Sequence, residues 1–252
     1  MILAVDIGNT NITLGGYKDD NLIFVARLAT DSKKTADQYA IEIKDVLKLY
    51  DTSKKLSGAI ISSVVPNVQD SLNIALKKLY NIKPKLLGPG VKTGLNIKID
   101  NPAQLGADLA AGAVGAIKKY GYPCIIIDMG TATTISVVNE KAEFLGGAIA
   151  AGVGTTLEAL TSKTTLLPSI SVEAPKNAIG SNTVECMQSG LVFGTAAMID
   201  GLINRFKEDI KTEVKIIATG GRAAQIIKYC KNDIVVDDNL LLDGLFSIYK
   251  AN

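Results

Sequence analysis

Ile2-Leu3-Ala4-Val5-Asp6-Ile7-Gly8-Asn9-Thr10-Asn11 is the stretch from which the rest of the chain is read. An apolar run reaches a carboxylate, then a glycine, then small hydroxyl and amide residues. The same order returns about half the chain later as Ile125-Ile126-Ile127-Asp128-Met129-Gly130-Thr131-Ala132-Thr133-Thr134. In each copy a buried strand would deliver an Asp into a tight glycine turn, and the chain would leave along a second strand. Two such hairpins facing each other could grip a polyphosphate from both sides, with an Asp near a metal in each half. The repeat points to a duplicated phosphotransfer fold.

Working outward, strands are expected at 2–7, 11–17 and 22–29, the last after the turn Lys18-Asp19-Asp20-Asn21. Ile41, Ile43, Val46, Leu47 and Tyr50 recur near helical spacing and predict a helix over 35–49. Gly58 to Val65 reads as a short apolar strand that Pro66 ends. A helix at 67–80, a strand near 84–87 and an Ala- and Gly-rich helix at 106–120 follow. The second half restarts with strands at 123–128, 132–138 and 142–147. Helices are then expected near 152–162, 182–208 and 221–230, with a strand at 214–219 between the last two. A strand at 233–236 and a helix at 239–249 finish the chain. Both halves run as a β-meander followed by alternating helices and strands, so the class is α/β with mixed central sheets covered by helices. The boundary is expected in Tyr120-Gly121-Tyr122-Pro123, dividing 1–119 from 120–252.

At 252 residues the chain can hold two domains of about 120 each. Apolar content of 47% and charge of 21% suit a globular protein with a proper core. Net charge is only +2, and the lysines fall in scattered pairs (Lys33-Lys34, Lys54-Lys55, Lys77-Lys78, Lys118-Lys119) with no aromatic platform between them. That pattern argues against a nucleic-acid partner. Cys124, Cys186 and Cys230 are odd in number and far apart, as expected of a chain in a reducing cytoplasm. Met1-Ile2-Leu3-Ala4-Val5 lacks a basic leader, and no apolar run was found near the eighteen or so residues of a membrane span. Histidine is absent, which removes imidazole bases, His-liganded metals and phosphohistidine from consideration.

In Asp6-Ile7-Gly8-Asn9-Thr10 the glycine would let backbone amides approach phosphate oxygens, while Asn9, Thr10 and Asn11 add neutral donors. Asp6, at the strand end, would suit a hydrated Mg²⁺. An ordinary polar hairpin turn uses the same residues, and the recurrence at Asp128-x-Gly130-Thr131 is what favours phosphate. Gly220-Gly221 follows the strand Val214-Lys215-Ile216-Ile217 and could lie against a base or ribose, or be a plain strand-to-helix turn. Asp108 falls in the first turn of the 106–120 helix. There it could accept a hydrogen bond from an acceptor hydroxyl, or merely complement the helix dipole. Gly90-Val91-Lys92-Thr93 lacks the ending of a Walker A loop, and Gly152-Val153-Gly154 lacks the third glycine of a dinucleotide fingerprint.

Taken together, these segments resemble type III pantothenate kinases, a branch of the acetate and sugar kinase, Hsp70 and actin superfamily. The resemblance is carried by Asp6-Ile7-Gly8-Asn9-Thr10, Ile61-Ser62-Ser63-Val64-Val65-Pro66, Asn101-Pro102 with Gly106-Ala107-Asp108, and Asp128-Met129-Gly130-Thr131-Ala132-Thr133-Thr134. Leu157-Glu158-Ala159-Leu160, Asn182-Thr183 with Met187-Gln188-Ser189-Gly190, Ala218-Thr219-Gly220-Gly221 and Leu241-Leu242-Asp243-Gly244-Leu245 extend it across the chain. It implies duplicated ribonuclease H-like (actin-like ATPase) domains with a nucleotide cleft between them. It also implies ATP-dependent phosphorylation of pantothenate at its terminal hydroxyl, the first step of coenzyme A biosynthesis. By family position, Asp6, Ile7, Gly8, Asn9, Thr10, Asn11, Ile12 and Thr13 would hold ATP phosphates, with Asp6 reaching Mg²⁺ through water. Thr131, Gly220 and Gly221 would also touch ATP, and Asp128 would bind a monovalent cation, K⁺ or NH₄⁺. Asp108 would be the catalytic base, and Gly106, Ala107, Leu109 and Thr183 would line the pantothenate pocket. Relatives of this kind are typically homodimers.

The chain departs from the family pattern at three positions. Leu109 stands where Arg is common after the catalytic Asp, Ile99 where Tyr often precedes Asp-Asn-Pro, and Ala151 where Pro is usual. Losing an Arg contact to a carboxylated substrate would cost roughly 1.5–3 kcal/mol, more than tenfold in affinity. Two other readings therefore stay open: a non-catalytic nucleotide-binding regulator serving transcription, and a kinase of another small hydroxy acid or sugar.

Overall fold

The computed structural model describes residues 1–52 and 56–252; of the lysine pairs, Lys54-Lys55 lies outside the described residues. The chain forms two compact units.

The first unit comprises Met1–Leu95, Asn101–Lys118 and Leu240–Asn252. Its sheet contains β1 (Ile2–Ile7), β2 (Asn11–Lys18), β3 (Asn21–Ala29), β4 (Gly58–Ser63) and β5 (Lys85–Leu86), in the order β3-β2-β1-β4-β5. β1, β2 and β3 form an antiparallel meander, while β4 pairs parallel with β1 and β5 parallel with β4. Helices α1 (Ala36–Leu49) and α2 (Pro66–Tyr80) cover one face. Their Tyr39, Ile43, Leu47, Leu72 and Leu76 are buried with Leu3, Val5, Ile7 and Ile61. α1 starts in a capping box: Thr35 N–H donates to Gln38 Oε1 (2.8 Å) and Gln38 N–H to Thr35 Oγ1 (3.4 Å). α2 starts on Pro66 and ends on Asn81 in the left-handed conformation.

The other face of this sheet carries α3 (Ala107–Tyr120) and α7 (Leu240–Ala251), through a cluster of Ala4, Ile60, Ala111, Leu242, Leu245 and Ile248. α3 is small-residued for a reason: a β-carbon on Gly115 would meet the Leu240 carbonyl, and one on Gly244 would meet the Ala111 carbonyl. The two backbones touch. Tyr17 OH donates to Asp243 Oδ1 (2.7 Å) and its ring stacks on Phe246 at 4.2 Å, fixing α7 to β2 as well.

The second unit comprises Asn96–Asp100 and Lys119–Asn239. Its sheet is ordered β11-β10-β7-β8-β9-β6, from β6 (Asn96–Ile97), β7 (Cys124–Met129), β8 (Ala132–Val138), β9 (Glu143–Ala151), β10 (Lys215–Thr219) and β11 (Val235–Val236). β7, β8 and β9 repeat the antiparallel meander, and β10 and β11 repeat the parallel additions. Strand for strand this is the first sheet again, with β6 added at the β9 edge. Helices α4 (Val153–Lys163), α5 (Thr183–Ile210) and α6 (Ala223–Ile227) complete the unit. The expected duplicated ribonuclease H-like architecture is thus present in two mixed sheets flanked by helices.

Several sequence expectations need adjustment. The compact units do not follow a single cut at 119/120, because α7 packs on β1 and β4 while residues 96–100 join the second sheet. β9 runs on to Ala151, beyond the expected 147, held by pairing through Ala132↔Ala151. α6 is confined to Ala223–Ile227, and β6 and a 3₁₀ turn at Pro102–Gln104 were not anticipated. α5, with 28 residues, is by length and composition apolar enough to cross a membrane, contrary to the sequence reading. Its Leu191, Val192, Ala196, Ile199 and Ile203 are buried against Ile125, Ile127 and Ile135, which is the packing of a core helix.

Candidate active site

Both aspartates of the repeated motif stand at the carboxyl ends of parallel strands, where α/β sheets bind ligands. Asp6 pairs across the ladder with Thr13 on β2 and Ser62 on β4. Direct ladder partners share a face, so a carboxylate is flanked by two hydroxyls on one rung. Asp128 is flanked in the same way, by Thr134 on β8 and Thr219 on β10. The duplication therefore extends to the residues beside each carboxylate.

The turns after the two aspartates are similar but not equal. Gly8 N–H donates to the Asn11 carbonyl at 2.9 Å, leaving Asn9, Thr10 and Asn11 exposed. Gly130 N–H donates to the Ala132 carbonyl at 3.0 Å, so the second turn is one residue shorter. A threonine pins each. Thr30 Oγ1 donates to the Gly8 carbonyl (2.7 Å) and Thr30 N–H to the Thr10 carbonyl (3.0 Å). Thr155 Oγ1 donates to the Thr131 carbonyl (2.7 Å), which also accepts Gly152 N–H (3.0 Å). Ile7 and Ile12, within the stretch expected to hold ATP, have fully buried side chains in the sheet core. They pair with each other in the β1–β2 ladder and the Ile7 carbonyl accepts Val64 N–H (3.0 Å), so neither offers a side chain to a ligand.

Gly220 has φ +95° and meets Asp128 directly: a β-carbon there would stand 2.6 Å from Asp128 Oδ1. Asp128, Thr131, Gly220 and Gly221 are thus brought to one end of the second sheet. In the first unit, Gly106 precedes α3 and its carbonyl accepts Ala110 N–H (3.0 Å). Asp108 Oδ1 accepts Leu109 N–H at 2.9 Å and crowds Gly106, whose own β-carbon would collide with it. Ala107 packs into the cluster of Ala4 and Ile60, so α3 lies on the sheet face that also bears Asp6 and Ser62. Asp6, Gly106, Ala107 and Asp108 belong to one face of one unit.

Thr183 belongs to the second unit. It opens α5, behind the Asn182 cap, where Asn182 Oδ1 accepts Glu185 N–H (3.0 Å). Glu185 Oε2 accepts Ser181 N–H in return (2.8 Å), which holds its carboxyl below the usual carboxylate range. α5 covers the face with Ile125 and Ile127, opposite to the Asp128 face. There Thr183 lines a cavity of about 780 Å³ with Thr156, Leu160, Cys186, Met187 and Leu191.

Two oxygen-rich sites could accept cations. Among the described residues no group of three or more His, Cys, Asp or Glu side chains converges, so a cage made wholly of protein ligands is absent there. Mg²⁺ needs none: it keeps most of its waters and binds through one or two carboxylates. Asp6 with Thr13 and Ser62 fits that habit, and Ser62 Oγ is buried without a protein partner. Asp128 with Thr134 and Thr219 offers a comparable all-oxygen set for a monovalent ion, and Thr134 Oγ1 is also without a partner. Sequence reasoning did not single out Ser62, Thr30, Thr134, Thr155 or Thr219 as site residues. Ser62 and Thr219 do carry a signal in retrospect, since each is a small hydroxyl residue at the end of an apolar strand.

A family model described as type III pantothenate kinase matches residues 2–205. A type III pantothenate kinase from Halalkalibacterium halodurans is 44% identical over 256 residues, covering all of both chains. Among solved structures, a chain described as a Baf family transcriptional activator from Campylobacter jejuni superposes with a TM-score of 0.63 at 21% identity, over 99% of this chain and 98% of that one. The activator of 2-hydroxyisocaproyl-CoA dehydratase from Clostridium difficile, with bound ADPNP, gives 0.57 at 13% identity, over 99% and 95%. Those two likenesses speak to the fold alone, whereas the family match and the full-length identity speak to descent. The chain belongs to the type III pantothenate kinase family.

Proposed function

We propose that this chain transfers the γ-phosphoryl group of ATP to the terminal hydroxyl of pantothenate, the first committed chemistry towards coenzyme A, through the residues described above. The observation that carries the reading is the pair of Asp–Gly hairpins on equivalent strands, together with Asp108 on the helix laid over the Asp6 face. With Gly8 and Gly130 adding no side chain, the backbone amides of the exposed Asn9–Asn11 turn and of Thr131 would suit phosphate oxygens. Gly220 and Gly221 would leave room for the nucleoside. Asp108, in the first turn of α3, would accept the hydrogen bond of the substrate hydroxyl and orient it for attack. Phosphoryl transfer rests on positioning and charge stabilisation more than on base strength, which suits a carboxylate in this role. A bound Mg²⁺ neutralises charge on the phosphates, and Asp6 would hold it through water. Asp128 would hold K⁺ or NH₄⁺.

Pantothenate would contact Gly106, Ala107 and Leu109, and Thr183 would contribute from a second copy of the chain in a homodimer. A cytoplasmic setting, with neither nucleic acid nor membrane as partner, belongs to the same reading. The regulator reading has only Leu109 and Ile99 in its favour, and Asp108 is retained.

The deciding assay follows ATP consumption with pantothenate, Mg²⁺ and K⁺ or NH₄⁺, with mass spectrometry on the acceptor and Asp108→Asn beside it. Phosphopantothenate from the wild type, and a loss of about 10²- to 10⁴-fold in the variant, is the expected result. Nucleotide binding without phosphopantothenate would sink the proposal.

A further inference from the structure

The geometry points to Ser62 as a second ion-positioning residue beside Asp6. Resting on the reading of Asp6 given above, we propose that the Ser62 hydroxyl holds a metal-bound water of the hydrated divalent cation that travels with the nucleotide phosphates.

Ser62 is fully buried, and its Oγ has no hydrogen-bond partner within the protein. Buried hydroxyls are nearly always bonded, because leaving one unmade forfeits its solvation with no return. Ser62 sits at the carboxyl end of β4, directly opposite Asp6 in the parallel ladder. The two residues therefore share a face, on strands about 4.8 Å apart. On that same face lies α3, whose first turn carries Asp108. In the second sheet the strand position equivalent to Ser62 is Thr219 on β10; Thr134, on the other side of Asp128 and equivalent to Thr13, also has an Oγ1 buried without a partner. Of the three buried, unpartnered hydroxyls among the described residues (Ser62, Thr133 and Thr134), two stand on the rung of a repeated Asp.

The chemistry fits the inventory of a serine, which has one donor and two acceptor positions. Its oxygen can accept a hydrogen bond from a metal-bound water while its proton goes to a phosphate oxygen. Mg²⁺ dehydrates reluctantly, so groups that orient its water shell matter as much as the single carboxylate that anchors it. Ser62 acts through the water, which makes it a positioning residue.

The test compares affinity for Mn²⁺·ADP, followed by electron paramagnetic resonance of Mn²⁺, with affinity for metal-free ADP in wild type, Ser62→Ala and Asp6→Asn. Ser62→Ala should bind Mn²⁺·ADP about three- to tenfold more weakly and metal-free ADP unchanged. Its ligand-free Tm should equal or exceed that of the wild type, because the substitution removes an unpaired hydroxyl. Weakened Mn²⁺·ADP binding in Asp6→Asn but not in Ser62→Ala overturns this inference alone. Unchanged binding in both overturns the reading of Asp6 and this inference with it. A lower ligand-free Tm in Ser62→Ala would mean that the hydroxyl is bonded within the protein, and the proposal would fall.

Discussion

Gly220 lies against Asp128 so closely that a β-carbon on it would stand 2.6 Å from Asp128 Oδ1 and 2.6 Å from Met129 N. Its φ of +95° is a second barrier to any side chain. The carboxylate expected to hold a monovalent ion is thus shaped by a bare backbone position just past the end of the neighbouring strand, β10.

Gly220→Ala should therefore destabilise the second unit by about 1–3 kcal/mol and disturb the Asp128 site in one stroke. Thermal unfolding with and without KCl checks this. The variant should lose Tm and also lose part of any rise in Tm that K⁺ gives the wild type.

Thr30 and Thr155 pin the two hairpins through hydroxyls 2.7 Å from the Gly8 and Thr131 carbonyls. Replacing either with Val removes one hydrogen bond, worth about 0.5–1.5 kcal/mol. Steady-state kinetics should show KM for ATP rising several-fold in each Val variant, with KM for pantothenate little changed. Thr→Ser at either position should restore the wild-type value.

Leu109 is half-buried, and its N–H is bonded to the Asp108 carboxylate, so its side chain leaves the helix next to the proposed base. Leu109→Arg would place a cation where the family resemblance leads one to expect it. KM for pantothenate should fall by about tenfold, with kcat changed far less. An unchanged KM would mean that position 109 does not face the substrate carboxylate.

Asp237 is buried beside Lys119 and Tyr120. Burial alone would raise its pKa. Hydrogen bonds from Lys119 Nζ (2.7 Å), Tyr120 OH (2.8 Å) and Asn239 N–H (3.1 Å) outweigh it and hold the carboxyl below its ordinary value of 3.8. A depressed folded-state pKa means stability that is fully present above the unfolded value and lost as pH falls through the folded one. Asp237→Asn should lower stability at pH 7. The difference from wild type should shrink below about pH 4, the ordinary aspartate range, in denaturant titrations across pH.

The sheets were legible in the sequence because their signals are local. Ile2–Ile7 and Cys124–Met129 are apolar runs that stop at an Asp and a Gly, and no neighbour is needed to read them as strands entering turns. The α1 helix announced itself by its period, while its Thr35–Gln38 box emerged only in the structure. β6 escaped because Asn96–Ile97 has no strand pattern of its own and becomes one only by adding to the edge of β9. α7 was legible as a helix but not as part of the first unit. Its place is decided by Gly115, Gly244 and the Tyr17–Asp243 bond, all far apart in the chain.

The candidate site divides along the same line. Asp6, Gly8, Asp128 and Gly220 were named from strand-end motifs and Asp108 from the first turn of a helix, while the roles expected of them came from the family resemblance. Ser62, Thr30, Thr134, Thr155 and Thr219 were not, because a hydroxyl residue looks alike in any loop or strand. What the sequence determined by itself was the duplication, the class of fold and the two carboxylates, all written in patterns shorter than about ten residues. What only tertiary structure decided was the rung on which each carboxylate sits. Register and helix docking depend on backbone pairing and close packing between segments distant in the chain, which no local period encodes.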